Sequence, residues 1–208
     1  MPDSLISWVL SRDFNRDGIP DLFVSPTAAP LSSAQLYQGY FENGELKFRV
    51  RRMGSPFATD ATFPFLYFNI GTQWFSTEVP FTDLPEIIDI DADGDLDMLS
   101  FDLVGSFVVY YRNMQVEEGL PQDSIKFVVE DFCFGKFKES GLNGSLILSD
   151  DSDECATGFR DDNDSTTRGG GAHAGSTIMG FDNLSLSLIK TIGTAPIRSN
   201  TNKSISPS

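Results

Sequence analysis

The chain has 208 residues, 40% of them hydrophobic, and a formal net charge of −15 at pH 7. That length and apolar content suffice for a sizeable core, while the acidic balance disfavours nucleic acid and anionic membrane surfaces, which reward Lys and Arg rather than clustered carboxylates. No apolar run approaches the roughly 18 residues of a membrane-spanning helix, so no membrane insertion is expected.

The first informative segment is Asp13-Phe14-Asn15-Arg16-Asp17-Gly18-Ile19-Pro20-Asp21, which reads Asp-x-(Asp/Asn)-x-Asp-Gly-x-x-Asp. Ca²⁺ takes roughly 6 to 8 hard oxygen ligands at about 2.3–2.6 Å, and alternate side chains of a tight loop can all point inward while Gly permits the sharp turn. The side-chain ligands would be Asp13, Asn15, Asp17 and Asp21, with the Ile19 carbonyl between them. Leu22-Phe23-Val24 then reads as a short buried strand. Further on, Gln35 to Phe41 and Glu45 to Val50 form a hairpin pattern around Asn43-Gly44, a strong two-residue turn signal.

The same pattern returns 76 residues later as Asp89-Ile90-Asp91-Ala92-Asp93-Gly94-Asp95-Leu96-Asp97. Here the ligands would be Asp89, Asp91, Asp93 and Asp97, with the Asp95 carbonyl in the equivalent place. The sequel also repeats: an apolar run, Met98-Leu99-Ser100-Phe101, and then a strand pair, Phe107 to Arg112 and Ser124 to Val129, joined by a longer polar segment. An EF-hand loop would close with Glu at its twelfth position, but those positions are Val24 and Ser100. The loops therefore feed strands rather than joining helices. The alternative is that both are ordinary Asp/Gly turns, since these residues dominate turns in any case.

Beyond the second unit the signals weaken. Cys133 and Cys155 are the only cysteines; a disulfide between them would suit an oxidising setting, and two separate buried thiols are the alternative. Two cysteines and the solitary His173 give too few soft ligands for zinc. Asp150 to Glu154 and Asp161 to Asp164 lack the register of the two loops and read as solvated acidic segments, with a further cation site as the alternative. His173 has no identifiable nucleophile or acid to work with, and Ser176 lacks a Gly-x-Ser-x-Gly context. Every strong Asp cluster is better explained by calcium than by a carboxylate pair for glycoside hydrolysis. A strand at Gly175 to Phe181 runs into Asp182, but no further carboxylate follows, and Thr191 to Ser208 reads as a flexible tail.

Over Ser11 to Val24 and Ile87 to Phe101 the chain resembles the FG-GAP or VCBS repeats of integrin-α-type β-propellers and of many secreted bacterial proteins. Leu84 to Ile88 and Ala172 to Thr177 are similar to segments of surface proteins from gliding, Bacteroidetes-like bacteria. The resemblance implies an all-β fold of propeller repeats in which each calcium loop sits in a hairpin of a blade, with the eight side chains above as ligands. The expected division is 1–76 and 77–165 as two repeat units, 166–190 as a degenerate third and 191–208 as a tail. A closed propeller needs at least about four blades, so this would be an incomplete propeller, part of a longer chain whose export signal lies elsewhere. The expected function is non-catalytic: a calcium-binding, secreted or cell-surface scaffold for adhesion to a protein or glycan. The alternatives are an accessory domain of a secreted carbohydrate-active enzyme and a purely structural spacer.

Overall fold

A computed structural model describes residues 8–25, 33–51, 66–77, 79, 84–102, 105–139 and 146–156. Strands β1 (Val9–Arg12), β2 (Asp21–Val24), β3 (Gln35–Glu42) and β4 (Glu45–Arg51) form an antiparallel meander in the order β1-β2-β3-β4. A second sheet contains β5 (Tyr67–Ile70), β6 (Gln73–Ser76), β7 (Glu86–Ile88), β8 (Asp97–Phe101), β9 (Val108–Asn113) and β10 (Phe127–Asp131), in the order β6-β5-β10-β9-β8-β7. Within it β7 to β10 repeat the meander of β1 to β4, and β5 joins β10 in parallel. A small hairpin, β11 (Phe137–Glu139) with β12 (Leu146–Leu148), completes the described strands. The fold is all-β, and none of the sheets closes into a barrel.

Local chemistry accounts for the elements that the sequence announces. Asn43 and Gly44 both take positive φ, 55° and 81°, as the tight turn between β3 and β4 requires. The runs after the two loops become β2 and β8, buried at every position. The second strand pair is offset from its expected bounds, since β9 starts at Val108 and β10 at Phe127. The hairpin β5–β6, which falls within the expected unit 1–76, hydrogen-bonds to the second sheet. His173, Ser176, Asp161 to Asp164, the third unit and the tail lie outside the described residues.

Apolar side chains of both sheets share one core, including Phe23 and Leu36 from the first and Met98, Val109, Tyr111 and Phe127 from the second. Full burial of one such side chain contributes about 1.5–3 kcal/mol. The alternate side chains of β8 and β9, namely Leu99, Phe101, Val108 and Tyr110, form a separate cluster packed by Phe134 and Phe137. Cys133 and Cys155 are joined as a disulfide with Cα atoms 5.9 Å apart, tying the segment after β10 to the one after β12.

Arginines bridge the two sheets. Arg12 of β1 donates to the Ile87 carbonyl at 2.7 Å and pairs with the buried Glu86 at 2.8 Å, and Arg51 of β4 pairs with Asp123 at 2.7 Å. Deeper in, the Ser33 hydroxyl donates to the Leu66 carbonyl and meets the Thr77 hydroxyl, both at 3.0 Å.

Two glycines test the local account. A Cβ on Gly39 would lie 2.2 Å from the Pro20 carbonyl oxygen, whereas one on Gly44 would meet nothing within 4 Å and suffer only from its positive φ. Gly39→Ala should therefore lower stability by about 3 kcal/mol or more and Gly44→Ala by only about 1 kcal/mol, as measured by denaturant melts. Equal losses would mean that the loop does not press on β3 as described.

Candidate functional site

Each nine-residue loop joins two antiparallel strands, β1 to β2 and β7 to β8. The two are built alike, hydrogen bond for hydrogen bond. Asp13 accepts the Asp17 N–H at 3.1 Å and the Gly18 N–H at 2.8 Å; Asp89 accepts the Asp93 N–H at 3.1 Å and the Gly94 N–H at 3.0 Å. Asp17 accepts the Ile19 N–H at 2.8 Å, as Asp93 accepts that of Asp95 at 2.9 Å. Asn15 and Asp91 accept more weakly, at 3.4 and 3.3 Å, from the N–H two residues on. Such local bonds from Asp and Asn to nearby N–H groups are what make these residues turn formers. The tight path needs left-handed backbone at Arg16 and Ala92 (φ 57° and 64°) and again at Gly18 and Gly94 (φ 81° and 103°). Glycine takes the more extreme of these conformations without strain.

The last aspartate of each loop is the first residue of the next strand and is fully buried. Asp21 accepts from Phe14 N–H at 3.1 Å and from Gly39 N–H at 2.7 Å; Asp97 accepts from Ile90 N–H at 3.0 Å and from Asn113 N–H at 2.8 Å. Asp97 also accepts the Tyr110 hydroxyl at 3.1 Å. Burial pushes the Asp97 carboxyl up to about 7 against the pull of its N–H donors, and it raises Asp21 in the same way.

The surroundings of the two loops differ. At the second, Asp89, Asp91 and Asp97 bring carboxylate oxygens within 4.8 Å of one another, and so do Asp91, Asp93 and Glu117. Arg112 pairs with Asp91 at 2.7 Å and with Glu117 at 2.5 Å. Asp95 is 1% exposed, and burial pushes it up to about 6. Asp93 Oδ2 and Asp95 Oδ1 are buried without a hydrogen-bond partner. At the first loop Asn15 is buried and its amide donates to Asp17 at 2.9 Å, while Ile19 is half-buried. Among the described residues, acidic triads with oxygens this close occur only at the second loop.

All ten expected positions therefore lie in two equivalent loops, and their donors are hard oxygens suited to a hard cation. Sequence reasoning missed Glu117, which comes from the turn after β9 and belongs to no register in the chain. It also missed that the Asp95 side chain is buried. Arg16 links the loops, donating to the Gly94 carbonyl at 2.9 Å and to Gln115 at 2.8 Å. The segment Asp150 to Glu154 is exposed and carries local contacts, such as Asp153 N–H to Asp151 at 2.8 Å. No protein-family profile, curated protein or solved structure matches the chain.

The raised carboxyls fix a pH dependence for the metal-free chain. A folded state that holds protons more tightly than the unfolded one is favoured below the ordinary carboxyl pKa and loses that advantage as pH rises through the folded values. In chelator, stability should fall between about pH 4 and pH 7 by an amount on the order of a few kcal/mol. Asp97→Asn should flatten that slope whatever its absolute stability. Melts across this range check it, and an unchanged slope in the variant would contradict the assignment to Asp97.

Proposed function

We propose that this chain is a calcium-stabilised, non-catalytic segment of an FG-GAP/VCBS-type β-propeller, exported as part of a longer secreted or cell-surface protein. The observation that carries the reading is the duplication: two loops of one register, with the same internal hydrogen bonds and the same buried closing aspartate, each opening the second strand of a four-stranded meander. Ordinary turns need an Asp or Gly at one or two places. They do not need four oxygen-bearing side chains at matched positions, nor buried carboxylate oxygens left without a donor.

In this reading Asp13, Asn15, Asp17, Asp21 and the Ile19 carbonyl hold one ion, and Asp89, Asp91, Asp93, Asp97 and the Asp95 carbonyl hold the other. Bound Ca²⁺ would supply positive charge to carboxylates that otherwise repel one another. The residues themselves do the structural work. Asp21 and Asp97 pin each loop to the third strand of its meander, and the surface loops of the assembled propeller, not the ion sites, meet a protein or glycan partner. Four-stranded meanders whose first hairpin carries the loop support a blade-like arrangement.

Calorimetric Ca²⁺ titration of the purified chain should show two binding events, one lost in Asn15→Ala and the other in Asp91→Ala. Calcium at about 100 times its dissociation constant should add about 2.7 kcal/mol per site, seen as a higher melting temperature than in chelator. A folded chain that binds no calcium and melts identically in both buffers would demote the loops to turns.

A further inference from the structure

Among the described residues, the second loop has acidic neighbours that the first lacks, and they point to a ligand from outside the nine-residue pattern. Asp91, Asp93 and Glu117 each place one carboxylate oxygen within 4.8 Å of the others. Asp95 is 1% exposed, and the charges of Asp93, Glu117 and Asp91 all act on it. One of its oxygens accepts the Val116 N–H at 3.1 Å, and the other has no hydrogen-bond partner. Asp93 keeps a buried unpartnered oxygen of its own. A buried anionic oxygen without a donor is strongly disfavoured unless a cation stands in for the donor.

Arg112 meets only part of that need. Its guanidinium lies 2.7 Å from Asp91 and 2.5 Å from Glu117, and it reaches neither of the unpartnered oxygens of Asp93 and Asp95. Among the described residues the first loop has no such acidic group. Asn15 stands where Asp91 does and Ile19 where Asp95 does, and the strand registers put Gln38 in the place of Arg112.

We propose that Glu117 is a direct ligand of the divalent hard cation at the second loop, which makes that loop the tighter of the two Ca²⁺ sites. The inference rests on reading both loops as calcium sites. Glu117 is delivered by the turn that follows β9, where Leu120 N–H donates to the Gln115 carbonyl at 2.8 Å and the buried Gln115 side chain donates to the Ser124 carbonyl at 2.6 Å. Arg112 then holds the Glu117 carboxylate against Asp91.

The test is Ca²⁺ calorimetry on the full chain and on three variants: Glu117→Gln, Arg112→Gln and the double variant. Tb³⁺ luminescence sensitised through Tyr110, whose hydroxyl lies 3.1 Å from Asp97, gives a second readout at this loop. Glu117→Gln should weaken the event assigned to the second loop by about tenfold or more, both alone and when added to Arg112→Gln, with the first-loop event unchanged. If Glu117 only braces Arg112, the substitution will have no effect once the guanidinium is gone, and the proposal falls. A parent chain in which the first loop binds as tightly as the second also overturns it while leaving the underlying reading intact. Absence of binding at both loops removes the two together.

Discussion

The fold depends on a buried carboxylate at the start of the second strand of each meander. Asp21 and Asp97 are fully buried, an expensive location for a charge, and each is kept there by N–H donors from two different elements. One oxygen takes the N–H of the second loop residue and the other takes an N–H on the neighbouring strand of the sheet. A single side chain thereby sets where the loop begins, where it ends and how it sits against β3 or β9. The closeness has a steric consequence at Gly39, which supports the Pro20 carbonyl because it has no Cβ. The second sheet meets the same constraint differently, with Asn113 in the equivalent place and Tyr110 adding a third donor.

From these loops the two sheets become one body. Arg16 occupies the left-handed position of the first loop and reaches both the Gly94 carbonyl of the second loop and the side chain of Gln115. Gln115 is 2% exposed and donates to carbonyls of the β9–β10 connection at Gln122 and Ser124. A chain of polar contacts thus runs from the first loop, past the second, into the turn that carries Glu117. Salt bridges of partly exposed arginines contribute little individually. Arg12 is the exception in placement, since its partner Glu86 is buried and it also caps the Ile87 carbonyl of the edge strand β7.

What could be read in the sequence was what local chemistry decides. Asp, Asn and Gly at fixed offsets specify the loop path through side-chain bonds to N–H groups two to five residues on, so both loops were legible to the residue. Asn43-Gly44 specified its hairpin because both residues tolerate positive φ. The hairpin β5–β6 carried no comparable mark beyond Gly71, and its parallel contact with β10 brings together residues about 60 apart, a pairing that no local pattern encodes. At β3 both Gln38 and Gly39 are buried, Gly39 against the Pro20 carbonyl and Gln38 beside Arg49, which donates to its side chain at 3.0 Å. Glu117 was illegible for the same reason as β5: only the tertiary fold brings the turn after β9 to the second loop.

The electrostatics connect the site to the conditions in which such a chain would work. Without a cation, burial leaves Asp97 with a pKa of about 7 and Asp95 with one of about 6, so near neutrality the loop is caught between two unfavourable states. Protonation relieves the repulsion but weakens the carboxylate's hold on its N–H donors, because a charged acceptor makes the stronger bond. Ionisation restores those bonds but leaves buried charges facing one another. A divalent cation resolves the conflict by favouring the ionised form of every carboxylate it touches. The first loop, with Asn15 and Ile19 where the second has Asp91 and Asp95, carries less of this conflict. On the calcium reading, the second loop is therefore the place where the fold is most strongly tied to a calcium-rich surrounding, and the dependence arises from the same buried aspartate that sets the loop's geometry.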